Sequence, residues 1–383
     1  KGTGRYIKTP EGSRVHQRGD PVSACGEAIE PPTGSFAFPP SHSQTGAKQS
    51  SGLKTFSPHQ PVIGDQAVFV PTVPDRLRAL HLPNFRPRWD IRLRVDPAMM
   101  AFVEGVLYAP GQSGGLYAID PRTGTHHRSV LLPGHPILAR VRIASDSLIV
   151  LAGPPLNRGS GAPSTKGCVL AVDPSDGRER RVYEAQGSLL PHWTASGQTL
   201  YLLEEIKTVQ YLVAVDLAGG QVSGRWKLAD AAACPPVASS SASHILDQSG
   251  VVRTYSSAYP HHRWTHETQQ RTPVPPVVAK DLVLVAGAPQ LLLALEAATG
   301  TERWRCEERG EFTTPPILVE DTVYVAHRGG RLLALDLATG DRVGSMPCPG
   351  WVEGERGRPV VANGKLVFAG RYGGVHAIDL GLG

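Results

Sequence analysis

An all-β fold is predicted from three observations. The chain of 383 residues is rich in turn formers, with 42 Gly and 34 Pro. Its apolar residues come in runs of four to six: Ala67-Val68-Phe69-Val70, Leu148-Ile149-Val150-Leu151, Leu200-Tyr201-Leu202-Leu203 and Leu282-Val283-Leu284-Val285. Gly, Pro or acidic residues end these runs, and no capped 3.6-periodic segment longer than about three turns competes with them. The third observation is a repeat. The stretch 314–340 holds the apolar run Ile317-Leu318-Val319, an acidic turn at Glu320-Asp321, the strand Thr322-Val323-Tyr324-Val325-Ala326, and a third strand Arg331–Asp336 ending in Ala338-Thr339-Gly340. Such a meander cannot cover both faces of its own sheet, so copies are expected.

The copies are found by following the Ala of the third strand. It recurs as Ala79, Ala118, Ala171, Ala214, Ala294, Ala334 and Ala377, at spacings of 39, 53, 43, 80, 40 and 43 residues. The 80 is two periods, and its missing member is Thr254, because an Arg-Trp pair marks the same place in several units. Trp89, Trp264 and Trp304 each fall ten residues after Ala79, Thr254 and Ala294, while Arg225-Trp226 is displaced by two. Eight units result. Helical repeats of similar period would show amphipathic helices, and these units show only strands. The prediction is an eight-bladed β-propeller of four-stranded antiparallel blades.

Residues 1–50 are Gly, Pro, Ser and Gln rich and read as linker or draped coil; residues 51–383 are assigned to the propeller. The last unit ends after Val375–Asp379 without a fourth strand, whereas residues before the first unit are left over. Leu53-Lys54-Thr55-Phe56, within 51–56, are expected to supply that outer strand and close the ring, since a bare edge would invite pairing with another chain.

The repeat resembles the tryptophan-docking motif of the quinoprotein-like (PQQ-like) β-propellers, A-x-D-x-x-T-G-x-x-x-W. Ala294, Thr299, Gly300 and Trp304 match it, with Glu296 in the Asp position. Ala118, Asp120, Thr123 and Gly124 keep part of it, as do Ala171, Asp173 and Gly177, and Ala334, Asp336, Thr339 and Gly340, where Gly344 replaces the Trp. The resemblance spans about residues 57–383. It implies either quinone dehydrogenases of alcohols and sugars, with quinone and Ca²⁺ at the propeller centre, or cofactor-free members that act as scaffolds or sensors. The quinone alcohol dehydrogenases of the family typically carry a disulfide between adjacent cysteines and are much longer. This chain has no Cys-Cys pair and offers no evident Glu/Asn/Asp calcium set, so the non-catalytic branch is expected.

Other chemistries find little support. The net charge is +5, of which residues 1–56 supply +3 from seven Lys/Arg and four acids; the remainder is too weakly basic for a nucleic-acid footprint. The five cysteines (25, 168, 234, 306, 348) are scattered and read as free thiols, and with no signal peptide visible they favour a cytoplasmic location. Cys25-Gly26 has Val22 where a zinc knuckle needs a second Cys. The run 282–298 is broken by Gly287, Pro289 and Gln290, so it reads as two strands and not a membrane span. His126-His127 and His261-His262 lack metal-ligating partners and read as solvent-facing. Asp120, Asp173, Asp216, Asp336 and Asp379 recur at one position, which assigns them to turn hydrogen bonding and not to acid–base work. No G-x-S-x-G, Walker or H-E-x-x-H sequence occurs.

The sequence thus reads as a non-catalytic scaffold or protein-binding module, without cofactor, metal or catalytic residues. Beginning at Lys1, it is expected to belong to a larger polypeptide or assembly, with a protein or other domains of that polypeptide as partner. A small-molecule sensor and a quinone-dependent dehydrogenase are the alternatives. The turns between second and third strands share one face, and the one long insertion, 153–166, falls there. With Glu204-Glu205, His327-Arg328 and Arg371-Tyr372 they form a polar rim. Arg158, Arg328, Arg371 and Tyr372 are the candidate partner-binding residues, because Arg and Tyr are enriched at interface hot spots.

Overall fold

The computed structural model describes most of residues 62–383; residues 1–61, 94–98, 154–165, 348–359, 370–374 and a number of shorter stretches lie outside the description. The described residues form eight antiparallel sheets, each a meander in sequence order, seven of four strands and the last of three. We number these blades 1 to 8: residues 62–92, 101–131, 142–184, 188–227, 237–267, 277–307, 317–347 and 360–379. The Thr254 unit is blade 5, so the expected count of eight holds. The expected closing strand at 51–56 lies outside the described residues. The two ends of the ring nevertheless meet: Val68, Val70 and Leu82 of blade 1 pack with Val367 of blade 8.

Burial explains the sequence pattern. The first strands of blades 1, 2, 3 and 8 touch one another in turn and therefore line the axis. Second and third strands are covered on both faces by neighbouring blades, so they are apolar without alternation; Leu282–Gly287 is buried at every position. Fourth strands face solvent on one side and alternate. In His262–Glu267 and Glu302–Glu307 the Trp is a buried residue among charged neighbours. Each blade therefore exports its core to the next one. Blades 6 and 7, for example, share one cluster containing Leu284, Ala294, Trp304, Val323 and Leu335.

The anchor Ala has a steric role. Ala79, Thr254 and Ala294 sit opposite Trp89, Trp264 and Trp304 in the ladder between third and fourth strands. A bulge follows the anchor in these blades and also after Ala214 and Ala334, sharpening the strand's twist toward its neighbour. In blade 4 Gly224 faces Ala214, and Trp226 faces Leu212. A shift of two keeps the same face of the strand. The Trp226 indole lies over Gly224, where a Cβ would collide with its ring, so the displaced Trp fills the usual place.

One expectation is corrected. Cys306 is disulfide-bonded, while Cys168 and Cys234 stand outside any disulfide. The reading of all five cysteines as free thiols therefore does not hold for Cys306, and it no longer supports a cytoplasmic location. Among the described residues, no helix is long and apolar enough to cross a membrane.

Candidate functional site

Three places in the ring bear on function: the seams between blades, the axis, and a cavity beside blade 1. The seams come first because they consume most of the distinctive residues. Trp304 Nε1 donates to the Leu337 carbonyl of the next blade at 2.8 Å, Trp264 to Ala297 at 3.1 Å, and Trp89 to Pro121 at 2.9 Å. Trp226 makes the same link to Tyr259 at 3.1 Å. Each of the three regular indoles lies against the Gly of the neighbour's turn. A Cβ on Gly340 would stand 2.6 Å from the Trp304 ring, and one on Gly300 2.5 Å from Trp264. Both glycines have positive φ, +77° and +76°, which closes the turn and which other residues rarely adopt.

The recurrent acids hold that turn in shape, as expected from the sequence. Asp336 Oδ1 accepts from the Ala338 and Thr339 amides at 2.9 Å each, and Asp120 Oδ1 accepts from the Arg122 amide at 2.7 Å. Asp216 Oδ2 accepts from the Gly219 amide at 2.6 Å. The donors, led by the Arg122 amide, keep the Asp120 carboxyl below its usual range. Where Glu296 replaces Asp, its carboxylate instead accepts from the Thr299 hydroxyl at 2.9 Å.

Glu204 departs from expectation. It is not on a polar rim but fully buried, on the second strand of blade 4. Its Oε2 accepts from the Tyr183 hydroxyl of blade 3 at 2.9 Å and from Arg225 at 2.6 Å, and its Oε1 accepts from the Gly187 amide at 2.5 Å. Burial first, then the Glu204 charge, pushes the Tyr183 phenol up. Nothing in the sequence distinguished this Glu from its neighbour Glu205, since only the third dimension brings three strands from two blades together.

Blade 5 carries a second buried polar group. His244 sits opposite Thr254, the residue that stands in for the anchor Ala. His244 Nδ1 and Thr254 Oγ1 are 2.7 Å apart, and Nε2 lies 3.1 Å from Ser239 Oγ. Burial pulls the imidazole down to about 4. The sequence held the clue: a hydroxyl in an Ala position needs a buried partner. Asp247, also buried, is held by Arg253 Nε at 2.9 Å and by the Val251 amide at 2.9 Å.

At the axis, the described first strands offer no ligand set for a quinone–calcium centre. The described first strands, from Val62–Ile63 through Ser188–Ser196 to Val360–Ala362, contain no Asp or Glu, whereas Ca²⁺ requires several oxygen ligands, carboxylates foremost. A channel segment of about 420 Å³ is lined by Val62, Ile63, Ala101, Val103, Ile143 and Val360, with Arg142 beside them. The Arg142 guanidinium lies over the Trp193 ring, 5.6 Å from its centroid.

A cavity of about 720 Å³ lies between blades 1 and 2. Phe69, Phe102 and Val106 supply apolar wall, and Arg88, Arg122 and His126 supply positive or titratable groups. It is bounded by the hairpin turns joining first to second and third to fourth strands, around Gly64, Gly105 and Asp120–Thr125.

The predicted partner-binding residues Arg158, Arg328, Arg371 and Tyr372 all lie outside the described residues. In sequence they fall between the second and third strands of blades 3, 7 and 8, which is the opposite end of the meander from this cavity. Of the His pairs, His126, His261 and His262 are exposed, and among the described residues no cluster of His, Cys, Asp and Glu is arranged to hold a metal ion.

The Trp-to-Gly seam and its Asp turn are the motif that the sequence resembled, and a family model matches it. The model described as outer membrane protein assembly factor BamB covers residues 209–383. Over those residues the chain matches the PQQ-like β-propeller repeat. Among solved structures, the computationally designed Ika8 protein is similar at a TM-score of 0.65 and 12% identity, covering 84% of this chain and 96% of that one. BamB from Moraxella catarrhalis is similar at 0.57 and 16% identity, covering 83% and 95%. Quinohemoprotein alcohol dehydrogenase from Comamonas testosteroni is similar at 0.58 and 12% identity, covering 86% and 75%. At these identities the likeness is one of fold. Among curated proteins no sequence matches significantly.

Proposed function

We propose that this chain is a non-catalytic propeller scaffold that binds a protein partner, or other domains of a larger polypeptide, through the turns between second and third strands. The observation that carries the reading is the use made of buried ionisable groups. Glu204, His244 and Asp247 are each engaged in holding strands or blades together, so none is left poised for acid–base work. A rigid ring of this kind leaves its loops free to carry recognition. The match of the second half of the chain to a model for an assembly factor supports the same reading.

Within that reading, Arg158, Arg328, Arg371 and Tyr372 contact the partner. The test is affinity capture with immobilised full chain beside a variant carrying all four residues as Ala, with circular dichroism confirming that both are folded. Loss of specific partners in the variant is expected. Retention of every partner would reject these four residues. The enzymatic alternative is tested separately by adding pyrroloquinoline quinone with Ca²⁺. No stoichiometric chromophore is expected, and a bound one with dye-linked alcohol oxidation would reverse the assignment.

A further inference from the structure

The seam between blades 1 and 2 differs from that between blades 6 and 7 in charge as well as in packing. In blade 6, Arg303 reaches Glu296 at 3.0 Å and Asp281 at 3.9 Å. Register places His81 and Gln66 of blade 1 where blade 6 has Glu296 and Asp281, because Ala67 pairs with His81 as Leu282 pairs with Glu296. Arg88, which precedes Trp89 as Arg303 precedes Trp304, therefore has lost both acids and makes no ion pair among the described residues. On the facing turn of blade 2 a second cation has been added. Arg122 occupies the position, two residues after the recurrent acid, that is Ala218, Ala298 and Ala338 in blades 4, 6 and 7. The one carboxylate nearby, Asp120, is engaged by the amides of its own turn.

These two guanidiniums border the 720 Å³ cavity with the exposed His126. Its apolar wall is Phe102, backed by the fully buried Phe69, which stacks on it with centroids 5.8 Å apart and an interplanar angle of 26°; Trp89 lies 5.8 Å from Phe69. At the corresponding seam of blades 6 and 7, Leu284 stands where blade 1 has Phe69. Two guanidiniums against the single carboxylate of Asp120, whose charge acts on Arg122, leave the edge of this apolar slot net positive, with Arg88 free of an ion pair among the described residues. Such a slot selects a ligand that is apolar at one end and anionic at the other. Guanidinium forks favour a planar oxyanion.

We propose that the cavity between blades 1 and 2 binds a small aromatic carboxylate, its ring against Phe102 and Val106 and its carboxylate on Arg88 and Arg122. The site is separate from the partner-binding turns, so either reading can fail alone.

The test uses the full chain and 1-naphthoate, titrated by calorimetry and by saturation-transfer NMR, with 1-naphthalenemethanol as the uncharged comparison. Two variants probe the site, Arg88→Gln at its charged edge and Val106→Trp to fill the slot, each checked for an unchanged melt. Saturable one-to-one binding of naphthoate is expected, weakened about tenfold by Arg88→Gln, the order of one charge-assisted hydrogen bond. Val106→Trp should abolish it, and the alcohol should bind at least tenfold more weakly. Absence of saturable binding, equal binding of the alcohol, or undiminished binding in whichever variant keeps its fold would overturn the proposal.

Discussion

Trp304 and Gly340 form a single mechanical unit across the seam of blades 6 and 7. The indole nitrogen reaches the Leu337 carbonyl at 2.8 Å, and the ring covers a glycine whose Cβ would lie 2.6 Å away. The flat face of the turn is thus as much a part of the lock as the tryptophan.

Two substitutions should expose the two halves of this lock. Trp304→Ala removes a buried indole and should destabilise the ring by roughly 3–5 kcal/mol. Gly340→Ala both crowds the indole and forces a left-handed residue, and should lose roughly 1–3 kcal/mol. Urea melts of the two variants and the double variant check this. Coupling between them is expected, because the sites touch; strict additivity would show that they act separately.

Glu204 should be among the least replaceable residues in the chain. Glu204→Ala leaves Arg225 and Tyr183 without their common acceptor and should cost roughly 3–5 kcal/mol. Replacing the pair together, Glu204→Leu with Arg225→Met, should recover much of that loss, because no unpaired charge remains buried. Chemical denaturation of the single and double variants measures the difference.

His244 gives the ring an acid-sensitive blade. Its folded value, lowered by burial to about 4, lies below the unfolded value near 6.5. The neutral imidazole therefore contributes stability that is whole above pH 6.5 and is lost as the pH falls toward 4, where the unfolded chain binds a proton that the fold refuses. The full loss is on the order of 3 kcal/mol. His244→Gln should be less stable than wild type at pH 7.5, for want of its hydrogen bonds, yet lose less between pH 7.5 and 4.5. Parallel losses in thermal melts would place the acid sensitivity elsewhere.

Closure of blade 8 is the fourth prediction. Its described strands number three, ending with Val375–Asp379. If a strand within 51–56 completes the sheet, deleting residues 1–57 should lower the melting temperature or produce aggregates through the exposed edge. A monomeric truncation with an unchanged melt would contradict it.

The sequence by itself determined the architecture, and the reason is periodicity. One meander cannot bury both faces, so the chain repeats its anchor Ala, its Asp turn and its Trp, and repetition makes eight units countable even where Thr254 replaces the Ala. It also assigned the recurrent acids to turns. Only the tertiary structure showed that Glu204 leaves the rim for the interior, that Trp226 makes up its two-residue displacement by folding over Gly224, and that Arg88 and Arg122 share a cavity. Each of these depends on strands far apart in the chain arriving side by side. Position in the repeat tells which strand a residue occupies, but the partner it meets belongs to the next blade, and that pairing exists only once the ring has formed.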